Sequence, residues 1–126
     1  MKLNELLAAR IVITSIAKEK ISASLAYKFL KFLKDSDTEE VFYKSKLQEM
    51  LNTFGDKDDD GNLIPQGDNG IQIKPENQPE CLKQIAELDS TEVVAPNIQF
   101  TIKELEELKL SVADMASIFS FVKDEV

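Results

Sequence analysis

Residues 22–54 read SASLAYKFLKFLKDSDTEEVFYKSKLQEMLNTF, and the parsing of this run decides the fold. Leu25, Phe29, Phe32, Leu33, Tyr43, Leu47, Met50, Leu51 and Phe54 recur at steps of three and four, with lysines and Glu49 mostly between them. That is the pattern of a helix with one apolar face. Lys34 to Glu40 interrupts it, because the segment has no apolar residue and contains Ser36-x-x-Glu39, the signature of a capping box that opens a new helix. Yet Phe29 and Leu47 lie five turns apart at the helical period, so the stripe keeps its phase across the polar patch. The pattern favours one long helix with a solvated middle turn over a tight hairpin of two shorter helices. Ser22 is placed to cap its start.

Upstream, Leu3, Leu6, Leu7, Ile11 and Ile16 suit a first helix with Asn4 as its cap, although the β-branched run Ile11 to Thr14 weakens the propensity. A short polar connection, Lys18 to Lys20, then folds it back on the long helix, so residues 1–54 form a helical hairpin. The apolar run Leu6 to Ala17 carries Arg10 and falls short of the roughly 20 residues of a membrane span. It is neither a signal peptide nor an anchor.

Downstream, Gly55 is placed to end the helix in the left-handed conformation. Leu63-Ile64 and Ile71-Gln-Ile73, separated by a turn from Pro65 to Gly70, read as a β-hairpin. A helix over Glu76 to Leu88 takes Pro79 in its first turn and Leu82, Ile85, Ala86 and Leu88 as its inner face. Val93, Ile98 and Phe100 suggest a strand that Pro96 confines to a sheet edge, where it pairs with the hairpin. Thr101-x-x-Glu104 and Ser111-x-x-Asp114 are capping boxes for a short helix through Leu108 and a last one carrying Met115, Ile118, Phe119 and Val122. The expectation is a single α+β domain, mainly α, parsed as 1–54, 55–75 and 76–126, with a sheet of two or three strands.

A length of 126 residues and 43% hydrophobic content suit one folded unit. The net charge of −8 opposes direct binding to nucleic acid or to an anionic membrane surface. A single cysteine, Cys81, allows no internal disulfide and fits a reducing compartment. With no histidine in the chain, Ser–His–Asp and Cys–His catalysis and the usual zinc sites are excluded. Cys81 reads as a buried small hydrophobe. Adjacent glutamates point in different directions on a helix, and the four glycines form no phosphate loop. The expectation is therefore a protein that is not an enzyme and needs no cofactor.

Two patterns carry candidate sites. Asp56, Asp58 and Asp60 followed by Gly61 match the opening of a calcium loop, but the twelfth place is Gly67 rather than a bidentate Glu. A solvated acidic turn is the first reading and a weak calcium switch the second. Tyr27, Phe32, Phe42 and Tyr43, together with Lys31, are the candidate partner-binding residues of the long helix. Aromatics at this spacing are ordinarily core, and any uncovered part of the stripe is a surface for another protein or a second copy.

The layout resembles a group of small proteins encoded by phages and prophages of Gram-positive bacteria. The resemblance rests on Leu25-Ala-Tyr27-Lys28, the run Phe54 to Asn62, Ile73 to Asn77, and Leu105 to Ile118 around Leu110-Ser-Val-Ala-Asp114, in that order. It implies a phage origin, a small α+β fold and no catalytic residues. The functional expectation is protein–protein binding, in virion or tail assembly or in inhibition of a host factor, in the cytoplasm of a bacterial host or in the virion. An acidic mimic of nucleic acid is the alternative that the charge suggests.

Overall fold

Leu3–Ile16 forms α1 in spite of its β-branched centre, because burial overrides propensity there. Leu3, Leu6, Ala9, Val12, Ile13 and Ile16 are all buried in it, on faces packed against two other helices. The helix begins one residue before Asn4, and the Glu5 carboxylate accepts the Lys2 backbone N–H at 3.1 Å in place of an Asn4 cap. The computed structural model describes residues 1–68 and 70–123. Asn69, within the expected Pro65–Gly70 turn, and residues 124–126 of the expected C-terminal portion lie outside the described residues. The chain is a mainly helical α+β protein.

It divides into two compact units, Met1–Glu39 with Glu92–Val126, and Glu40–Thr91. The first unit holds α1, α2 (Ala23–Asp35), the first turn of α3 (Asp37–Phe54), β3 (Phe100–Thr101), α5 (Ile102–Leu105), α6 (Val112–Ile118) and β4 (Val122–Lys123). α1 packs against α6 and α2. β3 pairs in parallel with β4, Phe100 opposite Val122, not with the hairpin as the sequence suggested. That pairing carries Phe100 and Phe121 into the core. Phe29 meets the Phe100 ring at 5.1 Å between centroids, and Phe32 meets Phe121 edge-on at 4.7 Å. Burying each such ring is worth about 2 kcal/mol. Both capping boxes form: Thr101 and Ser111 hydroxyls accept the Glu104 and Asp114 N–H groups. The helix after Thr101 stops at Leu105 instead of Leu108, and Phe121 is buried where Phe119 was expected.

Residues 22–54 are two helices, not one. Ser22 caps α2 as expected, its Oγ accepting the Leu25 N–H. The ladder then stops at Ser36, whose N–H still reaches Phe32 O at 3.1 Å. A residue far away in sequence meets the chain there. Arg10, buried on α1, donates from Nη1 to Leu33 O at 2.7 Å and to Ser36 Oγ at 2.6 Å. A buried guanidinium requires such acceptors, and helix-end carbonyls supply them.

The second unit holds the rest of α3, β1 (Pro65–Gln66) antiparallel to β2 (Gly70–Ile71), a turn of 3₁₀ helix at Pro75–Asn77, and α4 (Gln78–Asp89). Three extended stretches meet in a closed ring of main-chain bonds. Asp56 N–H reaches Gln72 O at 2.8 Å, Gln72 N–H reaches Ile64 O at 2.8 Å, and Ile64 N–H reaches Asp56 O at 3.0 Å. Gly55 is not left-handed, as the sequence reading had it. Its requirement is room: a Cβ there would lie 2.4 Å from Leu51 O and 2.6 Å from Leu63 Cδ2. The Phe54 carbonyl is satisfied by Lys74 N–H and Asn77 Nδ2, both at 3.3 Å. On α4 Cys81 and Leu88 are buried and Ile85 is half-buried, as expected, while Leu82 and Ala86 are exposed.

Candidate protein-binding surface

α2 has two sharply different faces. Leu25, Phe29 and Phe32 are buried, while Tyr27 and Leu30 are 66% and 53% exposed. Tyr27, Leu30, Lys31 and Lys34 follow one another at steps of three, one and three, so they share one outward stripe. The helix is held firmly beneath them. Lys28 donates to Gln99 O at 2.9 Å and to Glu104 Oε1 at 2.8 Å, and the Ser22 N–H reaches Glu107 Oε1 at 3.3 Å. Lys31 forms an i,i+4 pair with Asp35 at 3.5 Å, toward the C-terminal end of the stripe. Exposed pairs of this kind contribute only a few tenths of a kcal/mol, so the pair positions more than it stabilises.

Of the five expected partner-binding residues, Tyr27 and Lys31 lie together on this stripe. Phe32 is a correction: it is fully buried against Phe100 and Phe121 and presents nothing to a partner. Its position three residues after Phe29 put it on the inner face. Phe42 and Tyr43 belong to the second unit, where Phe42 is 43% exposed. Tyr43 is partly buried and donates its hydroxyl to Asp89 Oδ1 at 2.9 Å, tying α3 to α4. Burial first, then the Asp89 carboxylate, raise its phenol above the ordinary value of 10.0. Leu30 was missed, although its helical phase with Tyr27 and Lys34 marked it.

The acidic turn does not assemble a metal site. Asp58 Oδ1 accepts the Asp60 and Asn62 N–H groups at 2.9 and 3.0 Å, and Asp56 accepts from Lys57 N–H and Gln72 Nε2. These carboxylates close the turn and anchor the ring. Among the described residues no group of three or more His, Cys, Asp or Glu side chains is placed to hold a metal.

Both units have clefts. In the first, about 440 Å³ opens between the end of α1 and the 107–110 loop, lined by Val12, Ser15, Ile16, Glu107, Leu108 and Leu110. In the second, about 270 Å³ lies among Leu51, Ile73, Cys81, Leu82 and Ile85. Among the described residues no helix is long and apolar enough to cross a membrane. Comparison with known proteins gives no matching family model, no matching curated protein and no matching solved structure.

Proposed function

We propose that this protein acts by binding another protein, without catalysis, through the outward stripe of α2. The observation that carries this reading is the exposure of Tyr27 and Leu30 on a helix whose other face is locked into the core. An aromatic and an aliphatic side chain left uncovered on a rigid helix, with lysines beside them, have the composition of a contact surface. The likeness of the sequence to phage and prophage proteins supports a setting in virion or tail assembly or in inhibition of a host factor.

The test compares the tagged protein with a Tyr27→Asp/Leu30→Asp variant, by capture from a bacterial host and light scattering of the native species. The wild type is expected to give a stoichiometric complex that the variant loses while melting at the same temperature. Equal complexes from both proteins, or a monomer from both, would overturn the reading.

Segregated charge favours a second reading, the acidic mimic. Residues 40–91 carry eleven acidic and five basic side chains, a net of −6 of the total −8. A decoy for a nucleic-acid groove would lose affinity steeply as salt rises and would compete with DNA for its partner. Indifference to salt would exclude it.

A further inference from the structure

An apolar surface is left uncovered in each unit, and the charges around the two are opposite. On α2, Tyr27 and Leu30 stand exposed, and Ala23 and Ala26, each one turn before them, extend the stripe with small side chains that let another chain approach closely. The helix carries three lysines, Lys28, Lys31 and Lys34, against Asp35, a net of +2 in a chain of −8. Lys28 turns to Glu104, whereas Lys31 and Lys34 lie on the outer stripe. In the second unit the 270 Å³ cleft adds Gln66 and Gln78 to its apolar lining. Its volume exceeds the roughly 150 Å³ that suffices to hold a benzene ring. Leu82, on its wall, is 67% exposed. Within two residues of the lining positions the chain carries five exposed acids, Glu49, Asp68, Glu76, Glu80 and Glu87, against Lys74 and Lys83, a net of −3.

We infer that the outer stripe of α2 docks into this cleft on a second copy of the chain, with Tyr27 or Leu30 filling the cleft and Lys31 and Lys34 facing its acidic surround. The inference rests on the stripe being a protein-binding surface and names the partner of that surface. Charge complementarity selects this pairing. Packing α2 on α2 of another copy would instead set +2 against +2. The net −8 of each copy opposes approach only at a distance, because charges farther apart than about 8 Å are screened at physiological ionic strength and the neighbours at contact decide. The two faces differ, so the contact is heterologous.

The experiment weighs the purified full chain alone by sedimentation from about 1 μM to about 1 mM, a range over which a micromolar contact passes from mostly free to saturated. The wild type is expected to grow heavier with concentration. Tyr27→Asp/Leu30→Asp removes the apolar stripe, and Leu82→Lys sets a cation at the cleft against Lys31 and Lys34. Each variant should melt as the wild type does, since these side chains are exposed in the single chain, and should self-associate at least about tenfold more weakly. An equimolar mixture of the two should recover a one-to-one complex, because each keeps the face that the other lacks. Should the stripe variant fail to fold, Lys31→Glu/Lys34→Glu takes its place in the mixture. A monomeric wild type, a Leu82→Lys variant that associates as the wild type does, or a mixture that stays monomeric would overturn the inference. A monomeric wild type that still captures a host protein through Tyr27 and Leu30 would leave the stripe a binding surface and remove only the second copy as its occupant.

Discussion

The first unit is ordered by side chains and the second by main chain. In the first, Phe29, Phe32, Phe100 and Phe121 interlock with Leu6, Ile13, Leu25 and Ile118 in one continuous core. In the second, only Gly55, Cys81 and Leu88 are fully buried among the described residues, and the fold rests on the bond ring and a few links between side chains. A buried ring contributes more free energy than a net hydrogen bond, which is worth about 1 kcal/mol. The second unit therefore opens at lower cost than the first, and it also bears most of the negative charge, whose self-repulsion works in the same direction.

The sharpest way to break this comparison is to cut the aromatic core. Phe32→Ala should cost about 3–5 kcal/mol in chemical denaturation and lower the transition of the whole first unit. A loss below about 1 kcal/mol would mean that the rings contribute little. Next in size is Gly55→Ala, where the added carbon meets a carbonyl and a leucine methyl. The expected cost is about 1–3 kcal/mol, confined to faster amide exchange in residues 40–91. Global loss of structure would deny the second unit its separate stability.

Glu104→Gln is a smaller perturbation, of about 1 kcal/mol, because it weakens a cap and its pair with Lys28. Partial burial pushes the Glu104 carboxyl up, but Lys28 and the Thr101 N–H and hydroxyl outweigh it and hold it below 4.5. The folded state thus gains stability that is present above the unfolded value and disappears as pH falls through the lower folded one. The variant should flatten the acid limb of a stability–pH curve measured below about pH 4.5. Smallest is Tyr43→Phe, at roughly 0.5–1 kcal/mol, for one partly buried hydrogen bond. Since the folded phenol is raised above 10.0, its contribution is complete below that pH and disappears as pH rises through the folded value. The variant should lose that alkaline step, which melting curves above about pH 10 would record.

What could be read from the sequence was local. Ser22, Thr101 and Ser111 cap helices because capping depends on residues three apart, and those spacings are explicit in the chain. The break at Ser36 was visible as a capping signature but lost to the stronger periodic signal. Arg10, which meets the chain at that point, lies 26 residues from Ser36 and bonds a carbonyl that no pattern marks. For the same reason the parallel pairing of Phe100 with Val122 was out of reach. Leu82 was placed inward and is exposed, because it is one residue, about 100° of helical phase, from Cys81, which is buried as expected, and both are apolar. Asp56 and Asp58 looked like ligands because a carboxylate that accepts turn N–H groups has the same spelling as one that binds an ion. At the candidate surface, Tyr27 and Lys31 were legible from helical spacing, and Phe32 was assigned to the wrong side because an aromatic residue alone does not say which face is covered.

The ring formed by Asp56, Ile64 and Gln72 has a consequence for the permitted length of the chain. Ile64 lies eight residues after Asp56 and eight before Gln72, and the two intervening segments leave the ring and return to it through Gly61 and Gly67, both at positive φ. Between the meeting points the excursions close on their own bonds, Asp58 N–H to Asn62 O in the first and the pairing of Pro65–Gln66 with Gly70–Ile71 in the second. The tips are therefore places where the polypeptide can grow, because lengthening a loop adds only a slowly rising entropy cost. A foreign peptide spliced beside Gly61 would be carried outward on a stem whose geometry it does not disturb.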